Sequence, residues 1–238
     1  MSLVPLVLLP GLLCDAALWS AQTRYFSARR EVIIPDLSGS DTIPDLASHV
    51  LDIAPPNFAL VGLSMGGYVA QEIMRRAPER VDRLALLDTS ARADTPQAIR
   101  RRRGLVAQSR VGTFRGVTPR LLKDLVHPMH QNGPIAETVM AMAVRVGREA
   151  FARQQNAIIK RIDGRPYLGD IRVPTLILFG AEDRITPVPI AEELHELIPG
   201  SVLQIIPDTG HLPPLESPDA VNAALTSWLG DRPVGDQS

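Results

Sequence analysis

Phe58-Ala59-Leu60-Val61 runs straight into Gly62-Leu63-Ser64-Met65-Gly66-Gly67, and no other stretch constrains this chain so tightly. The first four residues are apolar without alternation, as a strand buried on both faces of a parallel sheet requires. From Tyr68 to Ala77 the apolar residues Val69, Ile73, Met74 and Ala77 fall at helical spacing. A serine held between such a strand and such a helix sits on a sharp, strained bend. Gly62 and Gly66 flank it because side chains there would clash. The bend aims the Ser64 hydroxyl out of the sheet, towards a helix N-terminus whose free N–H groups favour developing negative charge. The pattern alone also describes a glycine-rich turn with an ordinary serine, so the rest of the chain has to decide.

That remainder alternates strand with helix. Leu3 to Leu9 reads as the first strand and Pro10-Gly11-Leu12-Leu13 as the loop leaving it. Asp15 can cap a helix from Ala16 to about Ala28, and Glu31-Val32-Ile33-Ile34 is a second strand closed by the turn-rich Pro35 to Ser40. A helix over about Pro44–Ile53 carries His49, a surface or half-buried histidine without chemistry. The strand before Ser64 is the third and Arg83 to Asp88 the fourth. From Ser90 to Arg165 the alternation stops and several helices follow, with Thr95-Pro96, Thr118-Pro119 and Pro134 opening three of them and Gly147 separating a fourth. Pro174 to Gly180 resumes the sheet, followed by helix 187–198, strand Ser201–Ile206 and a helix from about Pro218 to Leu229. Short loops between such elements mean a mostly parallel α/β sheet covered on both faces. The expected organisation is a core of residues 1–89 and 166–230, a helical lid at 90–165, and a frayed tail at 231–238.

Three exclusions follow from composition. A net charge of −1 argues against nucleic acid as a partner, and the single cysteine, Cys14, leaves no intramolecular disulfide. No stretch is long enough to cross a bilayer. The apolar residues before Cys14 imitate a signal segment. Yet no Lys or Arg precedes them, and Leu13 is too large for the usual cleavage site, so they read as a buried strand in an uncleaved, cytoplasmic chain.

Serine is a poor nucleophile until a base takes its proton, and that base must be held in one tautomer by an acid. His211, in Asp208-Thr209-Gly210-His211, follows the last strand, and Asp183, in Gly180-Ala181-Glu182-Asp183, follows the one before it. Loops after strand C-termini open on one edge of a parallel sheet, so Ser64, Asp183 and His211 can converge there. Asp88, also at a strand end, is the rival acid. His127 and His130 suggest a metal, but a proline lies between them and no third ligand is in view. No metal or cofactor is expected. Cys14 reads as packing rather than as a second nucleophile.

At Gly62 to Gly67, Leu178-Phe179-Gly180-Ala181-Glu182-Asp183 and Gly210-His211-Leu212 the chain resembles the α/β-hydrolase superfamily. The likeness is to its small lidded bacterial esterases, enol-lactonases and carrier-protein methyl esterases, and it runs from Leu3 to Leu229. It implies Ser64 as nucleophile, His211 as general base and Asp183 as the orienting acid, in the chain order of that fold. It also implies an oxyanion hole from the backbone N–H groups of Leu12 and Met65. Three departures stand out. Pro10-Gly11 replaces the His-Gly of many relatives. No room precedes Leu3 for two antiparallel strands, so a sheet shortened at the N-terminus is expected. Serine at position 64 excludes the dehalogenase chemistry that needs aspartate there.

The expected activity is hydrolysis of a small-molecule carboxylic ester, lactone or thioester through an acyl-enzyme. A carbon–carbon bond hydrolase on the same triad, or a catalytically silent ligand-binding protein, are the alternatives. Charge adds one more reading. Residues 90–165 carry a net +10, including Arg100, Arg101, Arg102 and Arg103, and the remainder carries −11. Either these arginines form a solvated helical face, or they steer an anionic or carrier-protein-linked substrate.

Overall fold

The computed structural model describes residues 3–114 and 116–231. Six strands form a single sheet: β1 (Leu6–Leu9), β2 (Val32–Ile33), β3 (Phe58–Leu63), β4 (Val81–Leu87), β5 (Thr175–Gly180) and β6 (Val202–Ile206). Their order is β2-β1-β3-β4-β5-β6, and every neighbouring pair is parallel. Parallel neighbours require a return connection over the sheet, and helices supply it. They are α1 (Ser20–Phe26), α2 (Ile43–Ile53), α3 (Met65–Arg76), α4 (Pro96–Ser109), α5 (Pro119–Leu125), α6 (Pro134–Lys160), α7 (Arg165–Leu168), α8 (Val188–Leu197), α9 (Pro213–Glu216) and α10 (Pro218–Leu229).

The two-residue period of a strand sorts its side chains into two cores. Leu6, Leu8, Val61, Leu63, Leu87 and Leu178 face the layer built by Phe26 of α1, Leu225 of α10 and Met142 of α6. Val7, Leu9, Leu60, Leu86, Ile177 and Phe179 face Val50 of α2, Ile73 of α3 and Leu194 of α8. Full burial of each Leu or Ile stabilises the fold by about 1.5–3 kcal/mol, so the central strands anchor everything at their ends. The apolar residues before Cys14 are therefore a central strand, β1, paired on both sides.

Several elements differ from expectation. The first helix begins as a 3-10 turn, Ala16–Trp19, capped by Asp15, and becomes α-helical only at Ser20. β2 pairs through Val32 and Ile33 alone, because it is an edge strand and Pro35 has no N–H to extend the ladder. α7 and α9 are short helices that no periodicity signalled. Other elements follow expectation: Thr95 and Thr118 cap α4 and α5 with Pro at the first helical position, and Gly147, at φ 79 and ψ 174, divides α6 at a kink. At the C-terminus, Asp231 pairs with the buried Arg30 and so is anchored rather than frayed; the tail expected beyond it lies outside the described residues.

The helical segment between β4 and β5 is tied to the sheet by its own basic residues. Arg145 pairs with Asp15, Lys160 with Asp41, and Arg92 and Arg165 with Glu193. Inside the segment Asp94 takes both Arg102 and Arg161. Among the described residues, no helix is long and apolar enough to cross a membrane.

Candidate active site

Parallel strands deliver their following loops to one edge, and the site lies there. Ser64, directly after β3, has φ 52 and ψ −113, a region side chains rarely adopt. A Cβ at Gly62 would come within 2.5 Å of the Gly66 carbonyl oxygen, and one at Gly66 would collide with the carbonyl of Leu9. Glycine at both positions is what lets the elbow close. Its carbonyl accepts the Thr89 hydroxyl at 2.7 Å and its N–H donates to the Leu87 carbonyl at 3.0 Å, which pins it to the end of β4.

Ser64 Oγ donates to His211 Nε2 at 2.9 Å, and His211 Nδ1 donates to Asp183 Oδ2 at 2.8 Å. Asp183 also accepts the N–H groups of Ile185 and Thr186 at 2.7 and 3.1 Å and the Thr186 hydroxyl at 2.5 Å. Burial alone would raise its carboxyl. The charge and hydrogen bond of His211, with Thr186, outweigh burial and hold it below the ordinary value. An ionised Asp183 keeps the ring proton on Nδ1 and turns the Nε2 lone pair to the serine. Such a chain can take the serine proton as the oxygen attacks.

The loop after β1 lies against this nucleophile: a Cβ on Gly11 would stand 3.4 Å from the Ser64 Cβ. Among the described residues, no acceptor engages the N–H of Leu12 or of Met65, so both are free for a ligand oxygen. The next residue, Leu13, has φ 60 and donates its N–H to Gln154 Oε1 at 3.1 Å. Gln154, on α6, also donates to the Leu37 carbonyl at 3.2 Å. Cys14 donates to the Leu12 carbonyl at 3.5 Å, and burial, with the Asp15 charge, pushes its thiol up to about 12. A thiol held neutral is no nucleophile.

Glu216 on α9 escaped sequence reasoning. Its carboxylate accepts the N–H groups of Gly210 and Leu212, on either side of His211, at 3.1 and 3.0 Å, and that of His127 at 2.7 Å. The His211 N–H itself donates to Leu125 at 2.9 Å. The base is thus clamped from α9 and from the C-terminal end of α5. A glutamate three residues after a Leu-Pro was the only signal, and it points equally to a helix start.

Asp88 does not take the histidine. It is fully buried with φ 41, and its Oδ1 accepts the Gly180 N–H at 2.9 Å. His127 does acquire neighbours the sequence hid, Glu182 and Asp208, with ligand atoms within 4.8 Å of one another. Its Nδ1 accepts the Met129 N–H at 3.3 Å, and Glu182 and Asp208 are exposed. Of the four consecutive arginines, Arg102 is spent on Asp94 and Gln155, while Arg100, Arg101 and Arg103 are exposed.

Comparison with known proteins identifies the family. The model of the alpha/beta hydrolase family matches residues 6–224. A pimeloyl-[acyl-carrier protein] methyl ester esterase of Photobacterium profundum is 26% identical, covering 94% of each chain. The 3-oxoadipate enol-lactonase 2 of Acinetobacter baylyi is 27% identical over 90% of this chain and 84% of its own. A thermophilic esterase from Thermogutta terrifontis superposes with a TM-score of 0.88 at 31% identity, over 95% of this chain and 89% of its own.

Proposed function

The chain belongs to the alpha/beta hydrolase family, and from that premise we propose that it is a carboxylic ester hydrolase working through a Ser64 acyl-enzyme. The observation that carries the reading is the unbroken chain Ser64–His211–Asp183, with bonds of 2.9 and 2.8 Å. In this reading His211 Nε2 takes the hydroxyl proton as Ser64 Oγ attacks the ester carbonyl. Asp183 stabilises the imidazolium that forms. The tetrahedral oxyanion is held by the N–H groups of Leu12 and Met65, the latter at the positive end of α3. His211 then passes its proton to the leaving alcohol, and a water activated by the same nitrogen hydrolyses the acyl-enzyme.

The segment 90–165 serves as the lid. Its Leu125 carbonyl accepts the His211 N–H, its His127 N–H donates to the Glu216 carboxylate that holds the His211 loop, and its Gln154 bonds the loop of Leu12, so it contributes to both halves of the site. In this reading the substrate is a small-molecule ester, and one relative is named for a carrier-protein-linked ester. In this reading the exposed Arg100, Arg101 and Arg103 of α4 steer the substrate.

A panel of p-nitrophenyl esters of graded chain length tests the reading. Turnover should show an acyl-enzyme burst. Ser64→Ala should lower kcat by about 10⁴-fold or more, and Asp183→Asn by about 10³- to 10⁴-fold, with both proteins folded. Undiminished turnover in folded Ser64→Ala would remove the proposal.

A further inference from the structure

Asp88 is fully buried at the end of β4, one strand from the nucleophile, and the reaction as written does not use it. Its Oδ1 is accounted for by the Gly180 N–H. Its Oδ2 is buried with no hydrogen-bond partner among the described residues. One carboxylate oxygen of Asp88 lies within 4.8 Å of a carboxylate oxygen of Asp183 and a ring nitrogen of His211. A buried acceptor without a donor is costly, and two carboxylates this close in a dry interior are costlier still.

One proton removes both costs. As a carboxylic acid, Asp88 turns its orphan oxygen into a donor, and the neighbouring Asp183 carboxylate is an acceptor with charge to share. We propose that Asp88 is a positioning residue that carries a proton throughout the working pH range and donates it as a hydrogen bond to Asp183. This inference rests on the triad reading above. The reacting centre then contains a neutral acid, one carboxylate, an imidazole and a serine in series, with a single negative charge to balance the imidazolium. The direction of titration agrees: burial first, then Asp183, and at longer range Glu216, push the Asp88 carboxyl well above its ordinary value against the opposing Gly180 N–H. Donation from Asp88 also restrains the Asp183 carboxylate, which Ile185 and Thr186 hold from the other side.

Neutral and ionised Asp88 make opposite predictions for an isosteric variant. Asp88→Asn keeps a neutral donor of the same shape. If Asp88 is already neutral, the acid limb of kcat/KM against pH stays where it is. If Asp88 is a carboxylate, the variant removes a negative charge beside the imidazole, and the limb moves to lower pH by roughly one unit or more. Asp88→Ala removes the donor altogether; it should lower kcat by about tenfold, and Asn should restore most of that loss. Infrared spectra give a reading independent of catalysis. The wild-type protein at neutral pH should show a buried carboxylic-acid C=O band that is missing from Asp88→Asn. A limb displaced downward in Asp88→Asn, or difference spectra with no carboxylic-acid band, would overturn the proposal. The infrared arm holds or fails whether or not Ser64 proves to be the nucleophile, so the two readings fail separately.

Discussion

Gln154 Oε1 accepts the Leu13 N–H at 3.1 Å across 141 residues of chain, joining α6 to the loop that flanks the nucleophile. The amide is almost wholly buried, and its other end donates to the Leu37 carbonyl. The helical segment between β4 and β5 is thereby part of the frame that orients the Leu12 N–H.

Replacing Gln154 tests that frame. Gln154→Leu leaves a buried N–H and a buried carbonyl without partners, at about 1–3 kcal/mol each. A misplaced oxyanion donor lowers kcat by about tenfold to a hundredfold, while KM for a short ester changes little. Steady-state kinetics beside a thermal melt separates the two effects. A folded variant that loses KM and keeps kcat would place Gln154 in substrate binding instead.

Asp88 gives a prediction for stability. Its carboxyl is held well above the value near 3.9 of an unfolded aspartate. Between those two values the native state binds the extra proton, so this group's contribution to stability is greatest at low pH and falls as pH rises through the window. Asn does not titrate. The stability of Asp88→Asn relative to wild type should therefore climb from about pH 4 towards the folded value of Asp88. Urea unfolding at stepped pH measures it, and a difference that is constant with pH would contradict the assignment.

The lid's charge is partly explained by its attachment. Arg92, Arg145, Lys160 and Arg165 meet Glu193, Asp15 and Asp41 of the core, which accounts for a part of the opposite charge of the two portions. Arg100, Arg101 and Arg103 are exposed, and the steering proposed for them can be tested. Converting these three to Gln while keeping Arg102 should flatten the fall of kcat/KM with salt for an anionic or carrier-linked ester. A neutral ester of equal length should be unaffected, since steering is screened within about 8 Å at physiological salt. Equal responses from both substrates would make these arginines a solvated surface only.

The sheet and the three central side chains were legible in the sequence for one physical reason. Buried parallel strands are continuous apolar runs, and Ser64 and Asp183 stand within a few residues of the ends of two of them, while His211 follows the half-exposed edge strand β6. What holds them was not legible. Glu216 and Gln154 act on backbone N–H groups, which every residue has, so no side-chain pattern marks their partners. Asp88 was visible as an acid at a strand end, but its role depends on which carboxylate reaches the imidazole, a matter of packing between β4 and β5. The edge strand β2 is shorter than its apolar run because only one neighbour pairs with it.

The central claim is that Ser64 is the nucleophile, and covalent trapping tests it most directly. The protein is treated with a fluorophosphonate, digested, and the modified peptide sequenced by mass spectrometry. A single adduct on Ser64 is expected, forming slowly or not at all in Asp183→Asn and absent from Ser64→Ala. An adduct on any other serine, formed at the same rate in Ser64→Ala, would contradict the account.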